Sequence, residues 1–124
     1  MPKTFLVIGN SDGIGLAVTK ALFARGDQVI GISKSPSPLG PNGPQHEVAD
    51  VTSHAYTEVL KCLLLEVGHF DAVIYCAGIG SELELPDLSK ECQVFDVNLR
   101  AMVHTMALLV PHWLERKTGH FIGL

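Results

Sequence analysis

The sequence predicts an α/β fold, a doubly wound parallel sheet, on three observations. Strand-like and helix-like patterns alternate along the chain, a glycine-rich turn joins the first of each, and 124 residues, 47% of them apolar, suffice for one core and no second domain. Residues 1–124 are therefore expected to form a single unit. Alternating βα units with short connections place helices on both faces of a parallel sheet through right-handed crossovers.

Each element has its own signal. Phe5 to Ile8 is a continuous apolar run, as in a strand buried on both faces, and Ile14, Ala17-Val18 and Ala21-Leu22 then recur at helical spacing until Arg25-Gly26. Val29 to Ile32 predicts a second strand. Pro36, Pro38, Pro41 and Pro44 exclude regular structure from the segment after it, which is expected as a surface loop. His46 to Val51 predicts a short third strand. Ser53 can cap a helix carrying Tyr56, Val59-Leu60 and Leu63-Leu64, closed by Gly68. Ala72 to Cys76 predicts a fourth strand. From Glu91 to Arg116 an apolar stripe predicts one long helix, bent at Pro111. His120 to Leu124 begins a fifth strand, and the sequence is expected to stop in or just after it.

Composition narrows the function. A net charge of −4 without a lysine or arginine run gives no electrostatic footprint for nucleic acid. The apolar run before Gly9 is too short for a signal peptide and no stretch approaches a membrane span, so a cytoplasmic protein is expected. Cys62, Cys76 and Cys92, an odd number at wide spacing, suit reduced thiols. His46, His54, His69, His104, His112 and His120 are scattered without ligand spacing, so no metal site is expected.

The chemistry concentrates in Gly9-Asn10-Ser11-Asp12-Gly13-Ile14-Gly15. Glycines let the main chain approach a pyrophosphate, and the start of the following helix offers free N–H groups and a partial positive charge. A nucleotide site is expected there. Ligands of such sheets bind beyond the carboxyl ends of the strands, so the loops after the first four strands complete it.

Gly9-x-x-x-Gly13-Ile14-Gly15, Asp50-Val51, Cys76-Ala77-Gly78 and Asn98, in this order, resemble the short-chain dehydrogenase/reductase family of NAD(P)-dependent oxidoreductases over nearly the whole chain. The resemblance implies a Rossmann-like fold in which the backbone of Ser11 to Ile14 cradles the pyrophosphate. It implies that the Asp50 carboxylate and the Val51 backbone hold the adenine, and that Ala77 and Gly78 give clearance toward the nicotinamide ribose. Cys76 stands where the family usually has asparagine. Asn98 matches the asparagine that helps hold a water in the family's proton relay. Ser33 and Lys34 take the place of the acidic residue of NAD-preferring members, so NADP(H) is expected over NAD(H). Asp12 argues mildly the other way, because many NADP-using relatives carry a basic residue there.

The departures concern catalysis. In the family a serine follows the fifth strand and a Tyr-x-x-x-Lys pair follows that. Here the two tyrosines, Tyr56 and Tyr75, are followed four residues later by Leu60 and Ile79. A developing alkoxide needs a positioned acid, so these residues are expected to bind cofactor and turn over slowly or not at all by themselves. A nucleotide sensor or an assembly protein on the same fold is the alternative, and no residue identifies a substrate. An open fifth-strand edge and the 91–116 helix both predict a homo-oligomer.

Overall fold

A computed structural model of the chain describes residues 1–80 and 82–124. Five strands, β1 (Thr4–Ile8), β2 (Gln28–Ser33), β3 (Gln45–Val48), β4 (Ala72–Tyr75) and β5 (Phe121–Gly123), form one sheet in the order β3-β2-β1-β4-β5. Every pairing is parallel, which gives the Rossmann-like, doubly wound sheet expected. In the register, Ile8 pairs with Ile32 on one side and with Tyr75 on the other. The loops leaving β1, β2 and β4 therefore start at one level.

Side chains alternate between the two faces. Leu6, Ile8, Ile30, Ile32, Val73 and Tyr75 meet Tyr56, Leu60 and Leu63 of α2 (His54–Val67) and Leu109 and Trp113 of α4 (Ala101–Arg116) in the main core. Val7 and Val29, also buried, take the opposite parity, toward α1 (Gly13–Ala24), which packs on β1 and β2. Trp113 fixes the far end of α4 by donating its indole N–H to the Phe70 carbonyl at 2.8 Å.

Local chemistry sets the ends of the elements. Ser53 caps α2: its hydroxyl accepts from the Tyr56 N–H at 3.2 Å and donates to the Asp50 carbonyl at 2.6 Å. Gly68, at φ +81°, closes that helix in a conformation other residues rarely adopt. The proline-rich segment between β2 and β3 carries no helix.

Two expectations need correction. The third strand stops at Val48, before Val51, because Asp50 Oδ1 accepts from both the N–H and the hydroxyl of Thr52 and turns the chain. The long helix starts at Ser89 and departs from regular α geometry well before Pro111. After α3 (Ser89–Phe95), a π turn at Asp96–Arg100 leads directly into α4, which runs through Pro111. Side chains anchor the widened turn to the end of β4. The Tyr75 hydroxyl donates to the Val97 carbonyl at 2.5 Å, and the Asn98 carboxamide pairs with the backbone of Ile79.

Candidate dinucleotide site

β1 stands between β2 and β4, so the chain's crossovers diverge from it and the crevice above its carboxyl end is the topological switch point. A cleft of about 390 Å³ opens there. The β1–α1 loop contributes Gly9, Ser11 and Asp12, the end of β2 Ser33 and Lys34, the turn after β3 Asp50 and Val51, and the end of β4 Cys76, Ala77 and Gly78. Gln93, Asp96 and Val97 close the helical side.

The glycine loop is shaped by close approach. Gly9 sits at φ +82°, and a Cβ there would collide with the backbone of Ala77. A Cβ on Gly15 would strike the Gly9 carbonyl. These two positions therefore draw β1, α1 and the β4 loop together. Asp12 precedes α1 in an extended conformation, and its side chain makes no capping bond. The leading N–H groups of α1 are left for a ligand. Gly13 and Ile14 are exposed at the start of α1, and Gly15 is buried beneath them.

Asp50 faces the cleft with one oxygen bonded to Thr52 and the other paired with Lys34. Its Oδ1 accepts from the Thr52 N–H at 2.9 Å and the Thr52 hydroxyl at 2.7 Å, while Oδ2 lies 3.8 Å from Lys34 Nζ. The Thr52 N–H and then its hydroxyl hold the carboxyl below the usual aspartate range against the opposing effect of burial, and the Lys34 charge adds a smaller push in the same direction as Thr52. Lys34 itself is well exposed. Ser33 is buried at the cleft wall; its hydroxyl donates to the Ser35 carbonyl at 2.5 Å and meets His46 Nε2 at 3.0 Å.

Cys76 is half-buried, and burial pushes its thiol up, away from a reactive thiolate. Asn98 does not line the cleft: its Oδ1 accepts from the Ile79 N–H and its Nδ2 donates to the Ile79 carbonyl, both at 2.8 Å. Burial raises both tyrosines far above the ordinary phenol value. Each hydroxyl is bonded inside the fold, Tyr56 with Thr105 and Tyr75 with Val97. Among the described residues no group of three His, Cys, Asp or Glu that could hold a metal gathers, and no helix is long and apolar enough to cross a membrane.

Sequence reasoning missed His46 as a neighbour of Ser33. The contact depends on β3 pairing with β2 in a register that sets His46 opposite Gly31. The signal within reach was weak: a polar residue opening the first strand after the proline loop.

The sequence model of the short chain dehydrogenase family matches residues 3–123. The chain belongs to the short-chain dehydrogenase family. An uncharacterized oxidoreductase of Staphylococcus epidermidis is 30% identical to it, over 98% of this chain and 57% of that relative. A short-chain dehydrogenase structure from Streptomyces avermitilis superposes with a TM-score of 0.87 at 23% identity, covering 99% of this chain and 49% of that one. A short-chain dehydrogenase from Leptospira borgpetersenii with bound NAD⁺ gives a TM-score of 0.85 at 23% identity, covering 98% and 50%. This family member thus spans about half the length of the proteins it matches.

Proposed function

We propose that this chain is the cofactor-binding part of a short-chain dehydrogenase and takes NADP(H) in preference to NAD(H). The observation that carries the reading is the cleft itself, which gathers Gly9, Ser11, Asp12, Lys34, Asp50, Val51, Ala77 and Gly78 at the switch point of the sheet. The pyrophosphate fits against the uncapped start of α1, with the backbone of Ser11 to Ile14 around it. Asp50 Oδ2, held only by the exposed Lys34 at 3.8 Å, accepts the adenine amino group beside the Val51 backbone, and Ala77 and Gly78 leave room for the nicotinamide ribose. A structural neighbour with bound NAD⁺ supports a nicotinamide dinucleotide as the ligand class. Lys34, an exposed cation where NAD-preferring relatives place an acid, favours a 2′-phosphate.

The dinucleotide supplies hydride chemistry when bound. Residues 1–124 contribute binding, and Asn98, paired with the Ile79 backbone, holds the loop after β4 in place; both tyrosines are engaged in the fold, so neither stands free as a general acid. We expect binding without efficient turnover. Titration with NADPH and NADH, followed by nucleotide fluorescence and thermal stabilisation together, tests the reading: tighter binding of NADPH supports it and binding of neither overturns it. Robust protein-dependent NADPH oxidation against a carbonyl panel would sink the inactive part.

Self-association belongs to the same proposal. Leu99, Val103 and Leu114 stand exposed along the π turn and α4, and Leu124 beyond β5 is exposed as well. A homo-oligomer through that helix or the β5 edge covers them. A monomer by sedimentation at high concentration counts against it. The free thiols Cys62, Cys76 and Cys92 suit a cytoplasmic setting.

A further inference from the structure

Three serines stand at the end of β2 and in the proline-rich segment after it, and their hydroxyls differ in what they meet. Ser33 Oγ donates to the Ser35 carbonyl at 2.5 Å, and Ser37 Oγ accepts from the Leu39 N–H at 3.2 Å. Ser35 is exposed, and its hydroxyl has no hydrogen-bond partner among the described residues. Its backbone is nevertheless fixed, because its carbonyl takes the Ser33 hydroxyl and lies 3.1 Å from His46 Nε2. A nucleophilic oxygen is thus held outside the fold at a set place, where the chain bends at Lys34 and Ser35.

Pro36 follows Ser35. Proline has no N–H, so an apolar groove that receives the residue after a serine is left with no unpaired donor, and proline-directed protein kinases select serine on this property. Pro38 gives Ser37 the same flank, but the Ser37 hydroxyl is engaged and part-buried. Two serines that look alike in sequence are therefore separated by their bonds.

Charge decides what a phosphate on Ser35 would do. Lys34 lines the cofactor cleft and has only a loose partner, Asp50 Oδ2 at 3.8 Å. A phosphoserine carries a charge of about −1.5 to −2 at neutral pH and offers a cation a stronger partner than one exposed carboxylate. The bonds that hold Ser35 run through its carbonyl, so the phosphate forms without displacing Ser33 or His46. Neighbouring residues stand within the ~8 Å Debye length of physiological salt. The phosphate therefore occupies Lys34 and repels any other phosphate brought beside it.

We propose that Ser35 is a phosphorylation site for a proline-directed serine kinase, and that its phosphate lowers the affinity of the cleft for NADPH while sparing NADH. In the step, Ser35 Oγ bonds to the γ-phosphorus of ATP, the bridging P–O bond breaks with its electron pair going to ADP, and the hydroxyl proton passes to the kinase's base. The inference rests on the dinucleotide reading above and adds a means of regulating it.

The test has two arms. In the first, the protein is incubated with ATP and a cyclin-dependent or mitogen-activated kinase, and the phosphate is mapped by mass spectrometry. Phosphate on Ser35 in preference to Ser37 is expected; phosphate on Ser37 instead, or on neither, overturns the modification site. In the second, phosphoserine is introduced at position 35 during translation, thermal unfolding confirms the fold, and dissociation constants for NADPH and NADH are measured. NADPH should bind about tenfold more weakly than to the unmodified protein, and NADH less than about threefold more weakly. The NADPH loss should shrink to about threefold or less near 1 M salt, because screening relieves repulsion between charges and leaves a steric block in place. Equal losses for the two nucleotides, or a loss that salt leaves unchanged, overturns the charge switch. Binding of neither nucleotide by the unmodified protein overturns the dinucleotide reading and the switch with it, while the mapping still reports on Ser35.

Discussion

The Asn10 carboxamide fills the space that a Cβ on Gly31 would need. Asn10 is buried in the glycine loop and Gly31 lies in β2, so the pair locks the loop against the strand beside it. Gly31→Ala should cost about 1–3 kcal/mol by overpacking. Asn10→Ala should restore most of that loss, because it removes the group in the way; alone it should cost about 1–2 kcal/mol through the cavity it leaves over Gly31, offset in part because Asn10 Oδ1 has no partner among the described residues. Denaturant unfolding of the two single variants and the double variant measures the coupling. A coupling under about 0.5 kcal/mol would show that the loop simply moves aside.

The three glycines of the motif differ in why they are needed. Gly15 lies against the Gly9 carbonyl, so Gly15→Ala forces backbone against backbone and should cost about 3 kcal/mol or more. Gly13 sits at φ +51° with open space where a Cβ would stand. Gly13→Asn should cost about 1 kcal/mol or less, since asparagine tolerates the left-handed region. Thermal unfolding of the two variants side by side checks the contrast, and equal losses would contradict it.

Tyr56 and Tyr75 make similar bonds with different consequences. Thr105 donates to the Ala101 carbonyl at 2.7 Å, so the buried Tyr56 hydroxyl is the donor in its 2.7 Å bond to Thr105. Tyr56→Phe should cost about 1 kcal/mol of stability and leave nucleotide binding unchanged. Tyr75 holds the Val97 carbonyl of the π turn, and Val97 lines the cleft. Tyr75→Phe should therefore weaken nucleotide binding as well as stability. Matching nucleotide affinities in the two variants would separate the π turn from the site.

What the sequence disclosed follows the range of the interactions involved. The alternation of strands and helices, the glycine loop and the Ser53 cap rest on local patterns, and the fold carries each of them. The π turn was hidden because it depends on Tyr75 and Asn98 meeting the backbone of segments 22 and 19 residues away in the chain. Ser33 was legible as a residue at the end of β2, yet the direction of its hydroxyl was not. That direction is set by Ser35 and by His46, which reaches it only through the β2–β3 register. The third strand looked longer because apolar Ala49 and Val51 flank Asp50, whose side chain instead turns the chain at Thr52.

Asp50 links acid stability to the site. The Thr52 N–H and hydroxyl bond its charged form, so its carboxyl ionises below the unfolded value of 3.8. A depressed carboxyl stabilises the fold fully above the unfolded value, and that stability is lost as pH falls through the lower, folded value. Asp27 adds to the same trend through the Lys3 N–H and Arg25. Asp50→Asn removes one of these titrations while keeping an oxygen for Thr52. Its stability should therefore fall less steeply than that of the unaltered protein below about pH 4. At neutral pH the variant should bind NADPH more weakly, because a carboxamide offers the adenine amino group a weaker acceptor than a carboxylate. Acid titrations of unfolding free energy, paired with nucleotide affinities at pH 7, check both halves, and parallel acid limbs for the two proteins would remove Asp50 from the account of acid stability.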